Sequence, residues 1–252
     1  MYLPLPSVPV PASQGGMSYG AMLLPAAGAS AQALLPLLLQ LHFSGWVAPP
    51  GDGWAVVIGE PGDGVVADGR RGVIEAAAFV AERMPGVVLA VRVRRDRQLA
   101  LVAWRSGEEL GRYSSDPSQE PDADKDVLSE PVGTEHAETF AALCGHEEAA
   151  GRLTELLGEE LDPDSVFESE RLAGVARLLG LPGWLVAAGA LPDDIPTGPR
   201  ARELTRLRAG APGAAGRVRD APLRALRRHQ QPPPVIADPP RGGGMEFELW
   251  ML

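Results

Sequence analysis

The cleanest periodicity in the chain lies at Val87 to Arg94, where Leu89, Val91 and Val93 alternate with Arg92 and Arg94. A repeat of two predicts a strand with one buried face, because successive side chains leave a strand on opposite sides. Arg95-Asp96-Arg97 makes a turn, Leu99 to Trp104 returns, Ser106-Gly107 turns again, and Glu108 to Tyr113 completes a three-strand antiparallel meander. Upstream the pattern alternates between the two periods. Ser18 to Leu24, Trp46–Val47 and Trp54 to Ile58 read as strands, with the Pro49-Pro50-Gly51-Asp52-Gly53 turn between the last two. Ser30 to Leu41 reads as a helix with Leu34, Leu35, Leu38 and Leu41 on one face, although Pro36 would kink it. A second helix runs to Met84 with Asp68 as its cap and Val73, Ile74, Ala77, Val80, Ala81 and Met84 inward. The predicted unit over residues 17–118 is therefore α+β, a small mixed sheet with a meander and two helices.

Beyond an acidic linker at 119–131, the period changes to that of helices. Thr134 to Leu143, Glu147 to Leu157 and Ser165 to Leu179 predict three of them, followed by a short apolar stretch from Trp184 to Ala190. The third carries Ser165-Val166-Phe167-Glu168, the spacing of a capping box, and ends at Gly180. Residues 132–195 thus predict a small helical domain. Residues 1–16 alternate proline with small apolar residues and are set aside as a disordered leader. Residues 196–252 predict a flexible basic tail whose apolar end, Met245 to Leu252, has the alternation of a segment that adds to a sheet edge or docks in a groove.

Charge adds a second layer to this picture. No residue from Met1 to Gly51 carries a formal charge, and Gly107 to Leu172 holds 19 Asp and Glu against four Lys and Arg. From Thr197 to Arg241, ten arginines face only Glu203, Asp220 and Asp238. Such zoning suits a chain that meets another protein or its own opposite zone. Nucleic acid is disfavoured, because the net charge is −10 and no aromatic stands among those arginines to stack on bases. Lys125 is the sole lysine, so arginine usage reports coding bias as much as chemistry. The single cysteine, Cys144, excludes an internal disulfide and fits a reducing cytoplasm. Residues 17–43 are apolar, yet Pro25, Gly28, Gln32, Pro36 and Gln40 interrupt them and no cation precedes Arg70, which disfavours a membrane span or signal peptide.

Candidate chemistry is sparse. His136, Cys144, His146, Glu147 and Glu148 include a Cys-x-His pair, but no second cysteine pair completes a zinc set, so Cys144 reads as a small buried hydrophobe and no metal is expected. Asp122, Asp124 and Asp126 match the start of a calcium loop whose sixth and twelfth positions hold Val127 and Gly133 instead of glycine and glutamate. Tyr113-Ser114-Ser115-Asp116-Pro117 has no nucleophile elbow and reads as a turn with a polar edge. The Gly-rich run from Gly62 to Gly72 precedes a helix and carries Arg70 and Arg71, the arrangement that presents backbone N–H groups and cations to an anion.

Two functions follow as expectations. The first is a cytoplasmic protein-interaction module without catalytic activity or cofactor, whose acidic helical face and basic tail, through Arg224, Arg227, Arg228 and Trp250, associate with each other or with a partner protein. The second is an enzyme or binding protein for a small phosphorylated or anionic ligand at the Gly69 to Gly72 turn, with Arg70, Arg71, Tyr113, Ser115 and Asp116 as ligand-binding residues.

Overall fold

The computed structural model describes residues 17–27, 31–62, 64–120, 123, 126–159 and 167–218. Eight strands form one antiparallel sheet: β1 (Tyr19–Pro25), β2 (Gly45–Val47), β3 (Trp54–Gly59), β4 (Val87–Arg94), β5 (Gln98–Arg105), β6 (Glu108–Ser114), β7 (Thr205–Arg208) and β8 (Ala211–Pro212). Their order across the sheet is β6-β5-β4-β1-β3-β2-β7-β8. The fold is α+β. The three expected strands β4, β5 and β6 are one wing of this wide sheet rather than most of a small one.

The first strand lies in the interior, between β3 and β4. Met22 and Leu24 enter one core while Ala21 and Leu23 enter the other, which is why its sequence is continuously apolar instead of alternating. On the Met22 face lie α1 (Ala31–Gln40) and α2 (Val73–Ala81). In α1, Leu34 and Leu38 are buried, and Pro36 is carried within the helix on its exposed side. The N-cap of α2 is Gly72, not Asp68. Gly69 and Arg70 both take left-handed backbone angles, φ 72° and 60°, and that turn separates Asp68 from the helix. The Asp68 carboxylate pairs instead with His42 Nδ1.

The opposite face is covered by α3 (Ala137–Cys144), α4 (Ala150–Gly158), α5 (Glu168–Leu178) and a 3₁₀ helix at Gly183–Ala190. These helices share one core with the sheet, in which Phe140, Leu153, Leu172 and Leu185 pack with Ala21, Val91, Leu101 and Tyr113. α5 departs from the expected capping box. Phe167 holds the cap position without a side-chain bond, Ser165 lies outside the described residues, and Glu168 turns inward to face Arg171 at 3.1 Å. Gly180 follows the helix with φ 62°, as expected of its stop.

The expected flexible tail begins with structure. β7 pairs with β2 through Gly45↔Leu207, Trp46↔Arg206 and Val47↔Thr205, and β8 folds back on β7. Leu207 is buried in the core beneath α1, and one inward leucine in Thr-Arg-Leu-Arg suffices because the other face of β7 is half exposed. Residues 219–252, with Arg224, Arg227, Arg228 and Trp250, lie outside the described residues. Among the described residues no helix is long and apolar enough to cross a membrane.

Candidate functional site

A cleft of about 440 Å³ opens where β1 begins and where β3 and β4 end, on the face that carries α2. Its position follows from the lengths of the elements. β4 continues past Ala90, the last of its residues in the α2 core, so Arg92 and Arg94 emerge on that face beyond the start of the helix. Opposite Arg92 in the ladder stands Gly20, where a Cβ would meet Val73 Cγ1 at 2.5 Å and the Val91 carbonyl at 2.9 Å. Only glycine lets the first turn of α2 settle onto the sheet there. Gly59 plays the same part under Val66, whose Cγ1 would lie 2.9 Å from an added Cβ.

Arg70, Arg92 and Arg94 line this cleft with two carboxylates, Glu60 and Glu75. Arg70 is exposed at the left-handed turn before α2, and among the described residues no hydrogen bond or ion pair holds its guanidinium. Arg92 is largely enclosed. Its Nη2 donates to Glu120 Oε2 at 2.6 Å and to Gln98 Oε1 at 3.3 Å, while its buried Nε has no partner among the described residues. Arg94 Nη1 donates to the Gln119 carbonyl. Glu60 faces Arg206 of β7 at 3.3 Å. Glu75 sits in the first turn of α2, with Oε2 2.9 Å from where a Gly72 side chain would begin, and so offers its charge to the exposed N–H groups of the helix.

The sequence-predicted ligand residues are not brought together. Arg70 is in the cleft, but Arg71 is not among its lining residues. Arg71 Nη1 donates to the Asp68 carbonyl at 3.1 Å, its guanidinium lies 5.7 Å from the Phe79 ring, and its backbone bridges Ala67, so it fastens the turn. Tyr113 belongs to the opposite core, where its hydroxyl donates to the Leu157 carbonyl at 2.9 Å and accepts from Arg171 Nη1 at 2.8 Å. Burial pushes that phenol above its ordinary range, against the pull of Arg171. Ser115 is buried, its Oγ accepting from Leu99 N at 2.9 Å to close the end of β5 against β6. Asp116 caps the 3₁₀ turn Pro117–Gln119, accepting from Ser118 N at 3.0 Å. Tyr113 and Asp116 therefore do not meet Arg70 in a common site.

Sequence reasoning missed Arg92, Arg94, Glu75 and Glu120. The alternation of β4 had already put both arginines on one face, and what it lacked was the knowledge that α2 stops short of them. Elsewhere, burial raises the Cys144 thiol to about 12. Among the described residues no three His, Cys, Asp or Glu side chains converge as a metal site. Comparison with protein-family models, with curated proteins and with solved structures returned no match for this chain.

Proposed function

We propose that this chain is a binding protein for a small anionic ligand bearing a phosphate or carboxylate group, seated in the cleft at the start of α2. The observation that carries this reading is the convergence of Arg70, Arg92 and Arg94 on one cavity of about 440 Å³. That volume is in the range of small-molecule sites, roughly 300–1,000 Å³. Guanidinium groups suit oxyanions because their planar forks donate two parallel bonds at once. Glu60 and Glu75 add acceptors, which favours a ligand that carries hydroxyl or amino groups beside its anionic end. The turn that holds Gly69 to Gly72 borders the cavity, and among the described residues Arg70 is the cleft cation that no hydrogen bond or ion pair holds.

The test is a melting-temperature panel with phosphate, pyrophosphate, sulfate and sugar phosphates. A ligand that binds only the folded chain raises its stability by mass action. The shift should appear with at least one of these anions and disappear in Arg70→Ala. It should grow in Glu75→Gln, which removes the competing carboxylate from the helix start. No shift with any of these anions would overturn the reading.

A second reading draws on the outer surface of the helical layer. Glu135, Glu138, Glu147, Glu148, Glu155, Glu159 and Glu170 are all exposed there, relieved only by a few cations such as Arg152 and Arg177. That surface suits a basic protein segment, the chain's own arginine-rich end included. The association would be screened by salt. A hydrodynamic radius and a tail protease sensitivity that stay the same at low and high ionic strength would exclude electrostatic docking by the tail.

A further inference from the structure

Two of the cleft cations, Arg92 and Arg94, are held from behind by the segment that leaves β6. Glu120 is half-buried and receives Arg92 Nη2 at 2.6 Å on one oxygen and Gln98 Nε2 at 3.0 Å on the other. One residue earlier, the Gln119 carbonyl receives Arg94 Nη1. The turn that presents both acceptors is short. It rests on Asp116, whose carboxylate takes Ser118 N at 3.0 Å, and on the bonds Gln119 N to Asp116 O at 3.2 Å and Glu120 N to Pro117 O at 3.1 Å.

From this arrangement we infer that Glu120 is an internal counter-anion for the cleft, and that an anionic ligand takes Arg92 over from it and loosens the 117–120 turn. The inference rests on the proposed anion-binding function and adds its regulation. Its physical basis is competition for one guanidinium. Arg92 Nη2 is committed to Glu120, whereas its buried Nε has no partner among the described residues, so within them the fork is only partly satisfied. A ligand oxyanion that reaches Arg92 from the cleft competes with Glu120 for the same guanidinium, and the two negative charges then repel each other across that cation. Gln98 is the hinge of the exchange. Its amide nitrogen also donates to Ser114 Oγ at 3.1 Å and to the Asp116 carbonyl at 2.8 Å, and so it keeps its place when Glu120 leaves. The consequence is a link between cleft occupancy and the acidic connection that leads to the helical layer.

Pyrophosphate titration by calorimetry tests the idea, run on the wild type, on Glu120→Gln and on the double variant Glu120→Gln, Arg70→Ala. Glu120→Gln, which deletes the competing charge and keeps the side-chain shape, should bind at least about five-fold more tightly, and the double variant should lose that gain. Hydrogen exchange on the wild type gives a reading that does not depend on the variant folding, since the amides of Ser118, Gln119 and Glu120 should exchange faster at saturating pyrophosphate. Binding in Glu120→Gln alone would support the counter-anion role directly. Equal or weaker affinity in the variant, or unchanged exchange at saturation, would overturn this inference while leaving the anion site standing. Binding by neither protein would overturn both.

Discussion

Arg171 is almost wholly enclosed, yet each nitrogen of its guanidinium faces an oxygen. Nη1 donates to Tyr113 Oη, to Leu156 O at 3.2 Å and to Leu157 O at 2.9 Å, and Nη2 donates to Glu159 O at 2.6 Å. Nε and Glu168 Oε2 stand 3.1 Å apart without hydrogen-bond alignment, a charge contact only. One side chain thus collects the last carbonyls of α4 and binds them to β6 through Tyr113. Arg171→Met should cost about 3–5 kcal/mol in urea unfolding, because the carbonyls and Glu168 would stay buried without their cation. Glu168 itself has its proton affinity raised, chiefly by burial and against the pull of Arg171. The folded state then binds that proton more tightly than the unfolded chain, so its charged form is a cost present above the folded value and absent below the ordinary carboxylate range. The stability of wild type relative to Glu168→Gln should therefore be greater at about pH 4 than at about pH 7, as read from denaturant midpoints. A flat difference would contradict the assignment.

At the scale of elements, periodicity carried well wherever one face was buried and one was not. The alternation of Leu89, Val91 and Val93 marked β4, and the three-and-four spacing from Val73 to Val80 marked α2, because each pattern maps directly onto one core. β7 was illegible for the opposite reason. Thr-Arg-Leu-Arg offers one apolar residue to the core, and its strand conformation comes from pairing with β2, a partner roughly 160 residues earlier in the chain. Gly210 explains how the turn after it fits, since a Cβ there would lie 2.3 Å from Leu39 Cα and its N–H donates to the Phe43 carbonyl at 2.7 Å. Leu207→Ala should lower stability by about 2–4 kcal/mol, the usual cost of emptying a buried leucine site. A cost near zero would mean that β7 adds hydrogen bonds but no packing. The cleft was half legible for a similar reason. Arg70 could be read from the glycine-rich turn beside it, whereas Arg92 and Glu120 meet directly across 28 residues of chain, with Gln98 of β5 bonded to both.

At the scale of the whole molecule, the sheet separates two apolar cores, one beneath α1 and α2 and one beneath the later helices. Acidic residues lie outside the second core, and the arginines of the cleft lie at the margin of the first. Of the zones along the sequence, the acid block is the one that maps onto a surface, since the cleft arginines come from residues 70–94 and not from the basic tail. The order of the strands has a further consequence for how the chain is made. β2 is synthesised early, but the strand that covers its edge is nearly the last described element to be made. Until residue 208 has left the ribosome, the backbone of Gly45 to Val47 and the indole of Trp46, against which Arg206 lies at 4.9 Å, have no cover on that side. An unpaired edge of this kind invites pairing with other nascent chains. The growing polypeptide is therefore most vulnerable to aggregation over a long window of its synthesis, and β7 ends that window.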